Sequence, residues 1–300
     1  MITRFEQLVE RASDVGPLRV AVILPHTEAS LRCIVQANLH GMAQCTLVGD
    51  VTAIRTLGSE KGIDLTTTPL VDEQNQASAV RRAVDLCREG HADVLVNDGA
   101  PLRLLFPAIL DSRPRGALLS GISACALSAQ GALRAQRLLL LTDGIMVVSP
   151  DLEQRIALVE NAIGVAHKLG LALPHVALVA ATETINLKDP TSTQAAQITM
   201  MARRGQIKDA IVDGPLGFDN AISAHAAQVK GIASDVSGKV DILVAPDLAA
   251  GNLLLRTLST LCRVPVVNVV VGGRTPLVLW SPTDDVPART AGLALGILCA

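Results

Sequence analysis

Short apolar runs alternate along this chain with stretches whose apolar residues recur at helical spacing. Leu18–Leu24 (LRVAVIL) reads as a strand, and Ala29–His40 reads as a helix with Gly41 as its C-terminal stop. Cys45–Val48 is a second strand, ended by Gly49-Asp50. Gln76–Gly90 is a helix, and Asp93–Val96 and Leu138–Leu141 are further strands. The pattern resets at Ser149-Pro150, where proline suits a helix start, and Leu152–Gly170 is predicted helical. Val176–Ala180, Ala210–Val212, Ile242–Ala245 and Val266–Val271 are predicted strands separated by helices, and Arg289–Ala300 predicts a closing helix of small residues. Repeated β-α-β of this kind predicts mainly parallel sheets with right-handed crossovers. The expected fold class is α/β, with two α/β/α domains whose strand C-terminal ends line an interdomain cleft.

Composition sharpens this picture. The chain has 300 residues, 49% hydrophobic, 18% charged and 1% aromatic, with no tyrosine. A core without aromatics must be built from Val, Leu, Ile and Ala, which suits a buried parallel sheet covered by helices. Net charge is −2 and no lysine-rich run appears. With almost no rings for bases to stack on, nucleic acid is not an expected partner. The first residues read as an amphipathic helix rather than a signal peptide. Apolar stretches such as Val264–Val271 are too short to span a bilayer, so no membrane association and a cytoplasmic location are expected. The six cysteines form no C-x-x-C pair and no zinc spacing with histidine, so reduced, mostly buried thiols and no metal are expected. The six histidines show no pairing by spacing and are assigned to the surface or to satisfied core positions.

Candidate chemistry concentrates in loops after the second-half strands. Thr182–Pro190 is TETINLKDP, Asp213–Ser223 is DGPLGFDNAIS, Ala245–Asn252 is APDLAAGN, and Gly272–Asp285 is GGRTPLVLWSPTDD. In DGPLGFDNAIS a strand delivers Asp213, Gly214-Pro215 turns the chain, and Asp219 or Asn220 caps the next helix. The same residues fit a plain strand-turn-helix connection. Gly272-Gly273 permits close approach of backbone N–H groups to an anion, or simply ends a strand. In Ser281–Asp285 a hydroxyl lies three residues from a carboxylate. That spacing fits either a helix cap or an anion-binding hydroxyl beside a proton-accepting carboxylate. Lys230, Lys239 and Arg274 read as surface charges near these loops.

In order, LLLTDGIM, ETINLKDP, RGQIKDAIVDGPLGFDNAIS, GIASDVSGKVDILVAPDLAAGN, GG-R-T-P and S-x-x-D run over about Leu138–Asp284. This combination resembles the phosphate acetyl/butyryltransferase family, and its butyryl branch in particular. The resemblance implies two α/β/α domains of isocitrate/isopropylmalate dehydrogenase-like architecture and a homodimer. The expected domains are residues 1–148 plus 272–300, and residues 149–271. It implies reversible transfer of a short-chain acyl group between coenzyme A and inorganic phosphate, with no metal, no covalent intermediate and no tightly bound cofactor. Acyl-CoA and phosphate are the implied small-molecule partners.

A thiol with a pKa near ~8.5 is mostly protonated at neutral pH, so acyl-CoA formation needs a base. The resemblance assigns that role to Asp284, with Asp285 the alternative, and makes Ser281 the accompanying donor. Gly272, Gly273, Asp213, Gly214, Pro215, Asp219, Asn252, Glu183 and Thr184 are the implied substrate contacts. Asp285, Arg274 and Lys239 are the implied contacts to coenzyme A. The chain departs from the family pattern in several places. Pro282 replaces an arginine after the serine, Asp98-Gly99 replaces lysine-glycine, Gly121 stands at a histidine position, and Val147 replaces an asparagine. These changes remove positive charge and donors, unless Arg103, Arg113, Arg115 or Arg274 compensates. Two alternatives follow: a divergent homologue that binds coenzyme A without efficient transfer, and an NAD-linked dehydrogenase relative, which the missing glycine-rich fingerprint disfavours.

Overall fold

The computed structural model describes residues 1–128 and 137–300. In chain order the elements begin with α1 (Phe5–Val15), β1 (Leu18–Ile23), α2 (Glu28–Leu39), β2 (Ala43–Gly49), α3 (Val51–Glu60), β3 (Leu70–Asp72), α4 (Gln76–Arg88), β4 (Val94–Asn97) and α5 (Leu102–Ser112). There follow β5 (Ser120–Leu127), β6 (Arg137–Thr142), α6 (Leu152–Lys168), β7 (His175–Val179), α7 (Pro190–Arg203), β8 (Ile211–Leu216), α8 (Phe218–Ile222), α9 (Ala224–Val229), β9 (Ile242–Val244) and α10 (Leu248–Arg256). The chain ends with β10 (Val266–Val271), β11 (Leu277–Leu279) and α11 (Val286–Cys299). Short polar side chains start many of these helices: Thr27, Asp50, Asn75, Asp151, Asp189, Asp247 and Asp285 each accept a first-turn N–H.

The chain divides into two compact units. The terminal unit comprises Phe5–Leu119 and Val267–Ala300. Its strands are ordered β3-β2-β1-β4-β11-β10, all parallel except β10, which pairs antiparallel with β11. The central unit comprises Met1–Arg4 and Ser120–Val266. Its order is β5-β6-β9-β7-β8, parallel except β5. Segment 120–142 differs from the expected boundary. The sequence places residues 120–148 in the first domain, whereas β6 bonds β9 in register (Leu141 with Leu243) and carries β5 with it into the central unit.

The aliphatic sequence shows its effect in the packing. Central strands such as β4 are buried at every position, as a sheet covered on both faces requires. Burial also holds the Cys33, Cys87 and Cys125 thiols up at about 12, which keeps them protonated. Helix α11 lies so close to the sheet that a Cβ on Gly296 would collide with Val278 Cγ2 and press on Val94. Valine is stiff at χ1 and cannot swing aside. Gly296→Ala should therefore lower stability by about 1–3 kcal/mol, read as a lower urea midpoint with an unchanged slope.

Candidate active site

In the terminal unit the C-terminal ends of β1, β4 and β11 stand side by side, with Ile23, Asn97 and Leu279 in register. Asp98 follows β4 and is buried. A carboxylate there needs a cation and several donors. Arg289 on α11 supplies the cation: its side chain is fully buried and Nη1 donates to Asp98 Oδ1. Asp98 Oδ2 accepts from the Ser30 hydroxyl and from the His26 backbone N–H at 3.0 Å. The other Arg289 donors hold the loop between β11 and α11. Nε reaches the Asp284 carbonyl at 3.0 Å and Nη2 the Ser281 carbonyl at 3.2 Å. Trp280 covers the cluster, with its ring centroid 5.1 Å from the guanidinium and its Nε1 donating to the Arg289 carbonyl at 3.0 Å.

Ser281 and Asp284 meet on this frame. The Ser281 N–H donates to Asp284 Oδ2 at 2.7 Å, and the Asp284 N–H to the Ser281 carbonyl at 3.0 Å. Both residues are half-buried. Desolvation pushes the Asp284 carboxyl above the ordinary carboxylate range, against the opposing pull of the Ser281 N–H and Arg289. Asp285 is exposed and caps α11 through the Ala288 N–H at 2.9 Å, so its carboxylate serves the helix.

Gly272, Gly273 and Arg274 do not join this group. They form the turn between β10 and β11, and Gly272 takes the left-handed conformation at φ 89°. Because β10 runs antiparallel, that turn sits at the start of β11 and Ser281 follows its end. Gly273 and Arg274 line a cavity with Val84, Arg88, Ile109 and Arg113 instead. Of the compensating arginines proposed from sequence, Arg274 and Arg113 thus lie at the opposite strand edge. Arg103, in the first turn of α5 after β4, is on the Ser281 edge and exposed.

In the central unit, Asp213 and Gly214 lie inside β8 rather than in a turn after it. Gly214 is required by close approach, since a Cβ there would stand 2.6 Å from Leu178 Cβ and 2.8 Å from the Leu178 carbonyl. Pro215 is tolerated because β8 is the edge strand of this unit. Asp213 pairs with Arg203 at 3.8 Å. Asp219 and Asn220 do not cap α8; Gly217 precedes that helix and both residues lie within it. Asp219 and Glu183 instead share Lys230, at 2.9 and 2.8 Å, and Asn220 donates to Glu183. That lysine holds both carboxyls below their usual values. Thr184 is exposed, its carbonyl accepting from Thr182 Oγ1 at 3.2 Å. Asn252 donates to the Gly144 carbonyl at 3.0 Å, joining the β6 and β9 ends. Lys239 is exposed and precedes β9, on the opposite strand edge from Asn252.

Beside Asn252, the buried Asp143 accepts backbone N–H groups from Gly121 at 2.9 Å, Ile145 at 2.6 Å and Met146 at 2.8 Å. Desolvation still raises its pKa. Sequence reasoning passed over Asp98, Arg289, Asp143, Lys230 and His26 as site residues. A usable signal existed for Arg289: a lone charge in an otherwise apolar small-residue helix has to be buried and paired.

The family model Phosphate acetyl/butaryl transferase matches residues 71–290. The phosphate butyryltransferase of Clostridium beijerinckii is 31% identical, over 100% of this chain and 99% of the relative. The phosphate acetyltransferase of Rhizobium meliloti is 34% identical, over 99% of this chain and 94% of the relative. Among solved structures, a branched-chain phosphotransacylase from Enterococcus faecalis V583 superposes with a TM-score of 0.78 at 27% identity, covering 94% of this chain and 98% of that one. The chain belongs to the phosphate acetyl/butyryltransferase family.

Asp98 is tolerated in its buried position because Arg289 neutralises it. Gly121 is enforced by close packing: a Cβ there would collide with Ile145 Cβ and stand 2.8 Å from Asp143 Oδ1. In this acyltransferase Arg289→Met should cost about 3–5 kcal/mol, because Asp98 is left buried without its cation. Adding Asp98→Asn should recover part of the loss. Urea unfolding of the single and double variants measures both.

Proposed function

We propose that this chain transfers a short-chain acyl group between coenzyme A and phosphate, with Asp284 accepting the thiol proton and Ser281 donating to the developing anion. The observation that carries this is the desolvated Asp284 carboxylate held beside Ser281 at a strand edge, in a chain matched by acyltransferases over its whole length. A carboxyl whose pKa is raised by burial is a stronger base than an exposed one. Preorganised donors at the developing oxyanion act best in such a partly desolvated place. The similarity to a branched-chain phosphotransacylase supports a short-chain acyl group as the substrate. Asn252, Glu183, Thr184, Asp213, Gly214, Pro215 and Asp219 are retained as substrate-side candidates. Gly272, Gly273, Arg274 and Lys239 are not.

We further propose a homodimer in the cytoplasm with no resident cofactor. Among the described residues, no helix is long and apolar enough to cross a membrane, and no cluster of His, Cys, Asp and Glu has the makings of a metal site.

Release of coenzyme A from butyryl-CoA or acetyl-CoA in the presence of phosphate tests the reading. Asp284→Asn should lower turnover by about 10²–10⁴-fold. Followed in the acyl-CoA-forming direction, from acyl phosphate and coenzyme A, the acid limb of the wild-type rate profile should lie above the ordinary aspartate value of ~3.9, because there the base must be ionised and burial raises its pKa. Coenzyme A binding without turnover would favour the binding homologue, and reduction of NAD by a hydroxy acid would favour the dehydrogenase.

A further inference from the structure

His26 follows β1 and Ser281 follows β11, the two strands flanking β4. At about 4.8 Å per strand, their loops stand roughly 10 Å apart along one sheet edge. The His26 imidazole is not a loose surface group. Its Nδ1 lies 3.2 Å from the Leu24 carbonyl and 3.2 Å from Asp98 Oδ2. The Leu24 carbonyl is the hydrogen-bond acceptor and Asp98 lies within ion-pair distance, so Nδ1 carries a proton and Nε2 is the ring nitrogen left for other partners. The Asp98 side chain is fully buried, whereas the His26 side chain is 53% exposed. The ring also occupies a slot made for it. A Cβ on Gly99 would stand 2.6 Å from His26 Nδ1 and 2.6 Å from the Leu24 carbonyl, so only glycine leaves the imidazole this place. An oriented imidazole, backed by a buried carboxylate and open at Nε2, is the arrangement of a group that carries protons.

The reaction has two proton positions. Acyl phosphate plus a thiol gives a thioester plus hydrogen phosphate, so one proton leaves sulfur and one arrives on phosphate. Asp284 serves the first in the function proposed above, and the second has no assigned group. We propose that His26 is the catalytic acid and base for the phosphate, with Asp98 orienting it. In acyl-CoA formation the sulfur–carbon bond forms as the carbon–oxygen bond to phosphate breaks. The electron pair leaves on that phosphate oxygen, which takes the proton from Nε2. The neutral imidazole regains a proton from water, and the thiol proton held by Asp284 returns to water. In the reverse direction neutral Nε2 accepts the proton from hydrogen phosphate as its oxygen attacks the thioester.

The inference rests on the acyltransferase reading, and one set of assays separates the two. Turnover is measured for wild type, His26→Ala, His26→Gln, Asp284→Asn and the control His91→Gln, whose ring is exposed beside Glu89 before β4. Both His26 variants should lose about 10²–10⁴-fold in kcat, with little change in KM for coenzyme A and unchanged thermal unfolding. Added imidazole should restore at least tenfold to His26→Ala and nothing to Asp284→Asn. A wild type that transfers no acyl group overturns the functional reading and this one with it. An active wild type with His26 variants within threefold of it, or His26→Ala that imidazole does not restore, overturns the role of His26 alone.

Discussion

The ion pair between Arg289 and Asp98 is the constraint on which the terminal unit's strand edge depends. Burying either charge alone would be prohibitive, and the pair is tolerated because its remaining polar atoms, Asp98 Oδ2 and Arg289 Nε and Nη2, find second partners outside it. Those second partners transmit the consequence. Arg289 fixes the Ser281 and Asp284 carbonyls, and Asp98 fixes the backbone N–H of His26. Two loops far apart in sequence are thus indexed to one rigid, dry contact beneath them. Loops alone rarely hold side chains to fractions of an ångström, and this contact supplies what they lack.

The central unit reaches the same end without a buried ion pair. Its precision comes from close backbone approach. Asp143 gathers the N–H groups of its own loop and of Gly121, and Gly144 lies against Gly251 so closely that a Cβ on either would strike backbone. With almost no aromatic bulk in the chain, small residues carry the fine fit that larger rings supply in other cores.

Much of the fold was legible in the sequence, because a two-sided parallel sheet writes itself as unbroken aliphatic runs. Strands β1, β10 and the helices α4 and α6 fall where the pattern put them. What was not legible depended on pairing partners. β11 is three residues long and β5 is interrupted by small polar residues, so neither gives a periodic signal. The direction of β10 is invisible in VVNVVV, yet it decides that Gly272-Gly273 and Ser281 lie at opposite edges. Likewise Gly214-Pro215 looks like a turn in any single sequence, and only the contact with Leu178 explains why it continues a strand. Ser281 and Asp284 could be named from motif spacing. Asp98, Arg289 and His26 could not be joined, since residues 26, 98 and 289 meet only through the strand order β1-β4-β11.

Trp280 is the chain's single tryptophan, and there is no tyrosine. Its indole is 5% exposed and stacked over the Arg289 guanidinium. Near-ultraviolet emission therefore originates from one ring, seated on the charge that organises the Ser281 loop. Any ligand that alters the field or the hydration there changes the colour and yield of that light, so the protein carries an intrinsic optical gauge of the Ser281 loop and needs no attached dye.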